Sequence, residues 1–143
     1  MIPDIRIIPL FTVFLRVAPI GPVVIGDVPT GLSRRLTAID GGHFTGDRLS
    51  GRVITGNDAV VIRSDGTAHL DVRCALETDA GEMIYLTYQG RRTQTASPAD
   101  EYFRCIFQFE TSCERLSWLN DTVGVGSGRR EPDGPWYEVF EVK

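Results

Sequence analysis

Apolar and polar residues alternate with period two along most of the chain. In GTAHLDVRCALETDAGEMIYL, residues 66–86, Leu70, Val72, Cys74 and Leu76 fall on one parity, and His69, Asp71, Arg73 and Glu77 on the other. Successive side chains leave a strand on opposite sides, so this alternation predicts strands with one packed face. The same period recurs in EYFRCIFQFE, where Phe103, Cys105, Phe107 and Phe109 oppose Arg104, Ile106, Gln108 and Glu110. In DAVVIR, Asp58 shares its face with Val60 and Ile62.

Helical periodicity is nearly absent, and Gly, Asp, Asn and Pro punctuate the apolar runs. PLFTVFLRV predicts a first strand, followed by a Pro/Gly-rich connection holding a short extended VVIG. LSRRLTAIDGGHF predicts a strand ending at an Asp40-Gly41-Gly42 turn, and SGRVITG and DAVVIR two strands joined near Gly56-Asn57. Ser64-Asp65-Gly66 and Asp79-Ala80-Gly81 are turn signals on either side of AHLDVRCALETD. EMIYLTYQGRR returns, TQTASPAD reads as a polar loop, and EYFRCIFQFET is a long strand. SCERLSWLND is a connection with room for one helical turn, TVGVGSGR a glycine-rich strand or bend, and PDGPWYEVFEV the last strand. Eight to ten strands with short connections predict an all-β fold: one antiparallel β-barrel over residues 1–143, with a β-sandwich as the alternative.

A length of 143 residues suits one domain with a proper core. Composition, 42% hydrophobic and 24% charged, is that of a globular protein. A net charge of -4, with arginines scattered outside three adjacent pairs, argues against a nucleic-acid partner. Asp4, Arg6, Pro9 and Arg16 interrupt the first apolar run, and no stretch approaches the roughly 20 apolar residues of a membrane helix. No membrane partner is expected, and the location is read as cytoplasmic. Cys74, Cys105 and Cys113 form an odd set without C-x-x-C spacing, which predicts reduced thiols acting as small core residues. His43 and His69 have no metal-ligand spacing, and neither DGGHFTGD nor GVGSGRR is a phosphate loop. No metal and no cofactor is therefore expected; the glycines of GVGSGRR are read as permitting a bend or bulge.

The charged rows admit two readings. They are the solvated outer side of antiparallel strands, or they converge in a barrel mouth where carboxylates beside guanidinium groups serve as acid/base pairs. On the second reading Asp58 and Glu110 are the general acid/base candidates, and Arg73 and Arg104 hold a carboxylate, enolate or carbonyl oxygen. Asp71 would position Arg73, His69 lies on the same row, and Tyr85 and Trp118 would form the apolar wall of the substrate site.

The ordered series GLSRRLTAIDGGHF to AHLDVRCALETDAGEMIYL, YFRCIFQFET, WLND, GVGSGRR and WYEVFEV resembles domain of unknown function family 3237, also uncharacterised protein family 0311. The family's G-G-A-D-W element corresponds to Thr55–Ala59, keeping Asp58 and losing the tryptophan at Ala59. Its L-D-A-R-Y element keeps Asp71 and Arg73 but has Cys74 for the tyrosine, while Tyr102-Phe103-Arg104, Phe109-Glu110-Thr111 and Trp118-Leu119-Asn120 are intact. The resemblance implies a compact barrel with a ligand-sized interior, similar in shape to allene oxide cyclase and dirigent proteins. With it goes the expectation that the two lost aromatics reshape the cavity they flank. The function expected is a cofactor-independent lyase, isomerase or cyclase acting on a small apolar organic molecule. The alternative is a non-catalytic small-molecule-binding or scaffold barrel. A homodimer formed through an outer face is compatible with either.

Overall fold

The alternating runs close into a ring. In the computed structural model, which describes residues 1–95 and 97–143, the strands are β1 (Ile7–Val17), β2 (Val23–Val28), β3 (Gly31–Thr45), β4 (Ser50–Ile62), β5 (Ala68–Thr78), β6 (Met83–Arg92), β7 (Phe103–Glu110), β8 (Val123–Glu131) and β9 (Gly134–Val142). Neighbours pair antiparallel in the order β1-β9-β8-β7-β6-β5-β4-β3-β2, and β1 also pairs with β3. Eight strands thus form a closed barrel. β3 is long enough to serve twice: residues 39–45 seal the ring against β1, and residues 31–36 carry β2 as an extra strand outside it.

Two expected boundaries are absent. The chain does not turn at Asp40-Gly41-Gly42; β3 runs through it, with Arg16 opposite Gly41 and Val17 opposite Ile39, so that one residue is extra. Gly42 has φ +128°, and a Cβ there would come within 1.9 Å of the Phe14 carbonyl oxygen, so glycine is required by both backbone and space. Nor does the chain break at Gly56-Asn57. The two expected strands are one β4, bulged between Val53, opposite Leu76, and Thr55, opposite Ala75. Of the expected loop 93–100, position 96 lies outside the described residues, and Pro98–Asp100 is a 3-10 turn.

The apolar rows face inward. Leu70, Val72, Cys74 and Leu76 of β5 and Phe103, Cys105, Phe107 and Phe109 of β7 are all buried. β8 is regular, without the bend or bulge read from its glycines. Its inward row, Gly124, Gly126 and Gly128, instead makes room for rings: a Cβ at Gly126 would stand 2.4 Å from the Phe107 ring, and one at Gly128 2.8 Å from that of Tyr137. One end of the barrel is plugged. Phe11 packs on Phe44 and Phe109 there, and the 3-10 segment Glu114–Asp121 adds Leu116 and Leu119, both buried. Buried leucines contribute about 1.5–3 kcal/mol each, so this segment is a fixed stopper rather than a loose connection. Beside it the buried carboxylate of Glu141 pairs with Arg48 and Lys143, and the Arg48 guanidinium lies 4.3 Å from the Trp118 ring centre.

Candidate functional site

The other end is open. A cavity of about 320 Å³ enters the barrel there, within the range of small-molecule sites. Leu15, Ile39, Val60, Ile62, Leu70 and Phe103 are part of its apolar lining; Asp58, Tyr88, Arg92 and Tyr137 are polar lining groups on inward strand rows, and Arg35, Thr37, Arg130 and Glu131 also line it.

Asp58 is inward because of the β4 bulge. Val53 is an inward residue, and strict alternation from it would turn Asp58 outward; the extra residue before Thr55 reverses the parity. Asp58 then shares the inner row with Val60 and Ile62. Its Oδ1 accepts a hydrogen bond from the Asp71 backbone N–H at 3.1 Å. Burial raises the Asp58 pKa from 3.8 to about 6; the Asp71 N–H and the charge of Arg92 oppose that rise. A carboxyl so placed holds and releases protons near neutral pH, as a general acid/base requires.

Tyr88 and Tyr137 are fully enclosed, and the Tyr88 hydroxyl donates to the Tyr137 oxygen at 3.0 Å. The Tyr137 proton remains available to an acceptor in the cavity. Burial pushes both phenols well above their usual range, so they act as neutral hydrogen-bond donors. Cys74 and Cys105, also inside, have thiols pushed up to about 12 by burial and behave as the small core residues expected.

The five charged positions do not converge. Asp71, Arg73, Arg104 and Glu110 lie on the outer face, because the opposite rows of β5 and β7 carry the aliphatic and aromatic side chains that the interior needs. Arg73 and Asp71 approach only to 3.6 Å, both substantially exposed. Arg104 donates to the Phe103 carbonyl and to Ser127 on the outside. His69 shares the outer face of β5, with a shielded Nε2 that has no partner among the described residues. Tyr85 is exposed, opposite Glu110, and Trp118 belongs to the plugged end, so neither walls the cavity. Of the two lost family aromatics, Ala59 is on the outer parity of β4; only Cys74 points inside. Sequence reasoning took Tyr88 only as core or pocket-wall material and passed over Arg92 and Tyr137. A usable signal was present: Tyr88 and Arg92 share their parity with Ile84 and Leu86.

Among the described residues no group of three or more His, Cys, Asp or Glu side chains is placed to hold a metal ion, and no helix is long and apolar enough to cross a membrane.

A family model described as Protein of unknown function (DUF3237) matches residues 5–142. The chain belongs to that family. Within it, the UPF0311 protein RPA1785 of Rhodopseudomonas palustris is 30% identical over 155 aligned positions, covering 99% of each chain. The crystal structure of a β-barrel like protein (ABAYE2633) from Acinetobacter baumannii AYE is similar at 34% identity and a TM-score of 0.92, covering 100% of this chain and 99% of that one. A further relative, from Penicillium herquei, is named hydroalkoxylation enzyme phnH; it is 29% identical over 123 aligned positions, covering 86% of this chain and 76% of its own length. Family and barrel agree with the resemblance read from the motifs, whereas the likeness to allene oxide cyclase and dirigent proteins stays an implication of that resemblance. The description of DUF3237 itself assigns no function.

Proposed function

We propose that this DUF3237 protein is an acid/base catalyst for a small, largely apolar organic molecule, working at the open end of the barrel with Asp58 as the proton-transfer group. The observation that carries the reading is a lone carboxyl on an otherwise apolar inner row, with a pKa raised to about 6. The relative named for hydroalkoxylation suggests the reaction type, addition of an O–H group across a C=C bond. Protonated Asp58 delivers its proton to an alkene carbon, and the substrate's own hydroxyl oxygen bonds to the adjacent carbon as positive charge develops there. The hydroxyl proton then returns to the Asp58 carboxylate. One O–H bond and one π bond are exchanged for one C–H and one C–O bond, so the step is a cyclising isomerisation that consumes nothing else. In this scheme the Tyr137 O–H, which lines the same cavity, hydrogen-bonds the substrate oxygen while the carbon is protonated.

The test is conversion of alkenyl phenols such as 2-allylphenol, followed by product chromatography. Turnover is expected to follow an ionisation near pH 6, and Asp58→Asn is expected to abolish it while the protein stays folded. Full turnover by the Asn variant would remove Asp58 from the chemistry. Binding of the phenol without conversion by the native protein would point to a binding barrel instead.

A further inference from the structure

Arg92 is the last residue of β6, paired with Ala68 at the start of β5 and Phe103 at the start of β7, which places it at the barrel rim. Its parity is that of Ile84, Leu86 and Tyr88, so the side chain enters the cavity. The guanidinium lies over the Phe103 ring, 5.7 Å from its centre. Arg16, Arg48, Arg52, Arg63, Arg115, Arg129 and Arg130 each pair with a carboxylate, and Arg34, Arg91 and Arg104 donate to backbone carbonyls. Half-buried Arg92 makes neither kind of contact among the described residues, not even with Asp58 across the cavity. Its fork of donors is unspent.

A half-buried guanidinium without a partner is unfavourable unless something else completes it. The neighbours do not. Arg130, which also lines the cavity, is engaged by the Glu101 carboxylate, and Glu131 at the rim is engaged by Arg129. Arg35 adds a further positive charge to the lining. Although the chain's net charge is -4, the lining of this cavity keeps Arg92 and Arg35 without a carboxylate partner among the described residues. Cationic forks of this kind match planar oxygen pairs, and stacking on an aromatic face holds the fork in one orientation.

We propose that Arg92 anchors an ionised oxygen group of the molecule that fills this cavity. The substrate class is then a small, mostly apolar organic acid, as carboxylate or as phenolate or enolate, bound with its charged end at the rim and its apolar body against Leu70, Val60 and Leu15. This rests on the reading of the cavity as a ligand site and adds a binding residue and a charge requirement to it. Asp58, further along the inner wall, meets the apolar part of such a molecule, where a proton-transfer group is needed.

The experiment compares 2-naphthoate with its uncharged isostere 2-naphthamide by titration calorimetry near neutral pH, on the native protein and on Arg92→Gln, Arg104→Gln and Asp58→Asn. The native protein is expected to favour the naphthoate by about tenfold or more, the scale of one charge-assisted contact. Arg92→Gln is expected to lose that preference while keeping its affinity for the amide, and Arg104→Gln, altered on the outer face, to keep it. Arg92→Met supplies the same readout should the Gln variant not fold. Equal binding of both probes, a preference surviving in the Arg92 variants, or no naphthoate binding up to millimolar concentration would each overturn the proposal. Asp58→Asn is expected to retain the preference. Loss of turnover and loss of anion selectivity are therefore separate outcomes, and failure of the catalytic reading would leave the anchor standing.

Discussion

The Asp58 carboxylate inside the barrel accepts a hydrogen bond from the backbone N–H of Asp71, whose own side chain points outside. Pairing between β4 and β5 is interrupted at this place, from Asp58 opposite Val72 to Val61 opposite His69. A side-chain oxygen has taken the donor that a regular ladder would have used. The wall thereby fixes the direction of the one carboxyl on the inner row of β4.

Stability should report the buried carboxyl. The folded-state pKa of Asp58, about 6, lies above its ordinary 3.8. Above pH 6 the group is ionised in both states, and the folded state bears the full cost of the buried charge. Between pH 6 and about pH 4 the folded protein takes up the proton first, and that cost disappears. Two pKa units correspond to about 3 kcal/mol. Asp58→Asn is therefore expected to be more stable than the native protein by up to about 3 kcal/mol at pH 8 in urea unfolding, with the gap closing near pH 4. A gap independent of pH would contradict the assignment.

The tyrosine pair should behave as a unit. Tyr88→Phe removes the donor and Tyr137→Phe the acceptor of one enclosed hydrogen bond, each costing about 1–2 kcal/mol. The double variant is expected to lose less than the sum, with a coupling of about 1 kcal/mol in a double-mutant cycle. Simple additivity in denaturant unfolding would mean that the hydroxyls are satisfied separately.

Gly126→Ala tests the role given to the β8 glycines. A methyl group there would stand 2.4 Å from the Phe107 ring, too close without a shift of that ring, so a loss of about 1–3 kcal/mol is expected. If the glycines served only to bend the strand, the alanine would be neutral or slightly stabilising in thermal unfolding.

The outer rows should be quiet. Arg73→Gln and Glu110→Gln are expected to change unfolding free energy by no more than about 0.5 kcal/mol and to leave 2-naphthoate affinity unchanged. A tenfold loss of affinity in either variant would move the binding site to the outside of the barrel.

Alternation along the chain was enough to predict strands and an all-β fold, because a period of two follows from strand geometry whatever the neighbours are; a barrel was the expected closure, with a sandwich still open. Which row faces inward was not decided by alternation: the charged rows of β5 and β7 admitted an inward reading, and the structure buries Phe103, Phe107 and Phe109 instead. Asp58 shares its parity with Val60 and Ile62, whereas Asp71 and Arg73 share theirs with His69 and Glu77, yet the sequence reading grouped Asp58, Asp71 and Arg73 in one site. What only the tertiary structure decided was the pairing. The extra residues in β3 and β4 reverse parity part-way along each strand, and nothing local marks them, since a bulge is defined against the partner strand. Closure of the ring then sets which end is stoppered by Leu116 and Leu119 and brings Arg92, Tyr88 and Tyr137 from β6 and β9 around Asp58 of β4. Residues so far apart in the chain meet through barrel curvature and register, which are properties of all eight strands together and of no single segment.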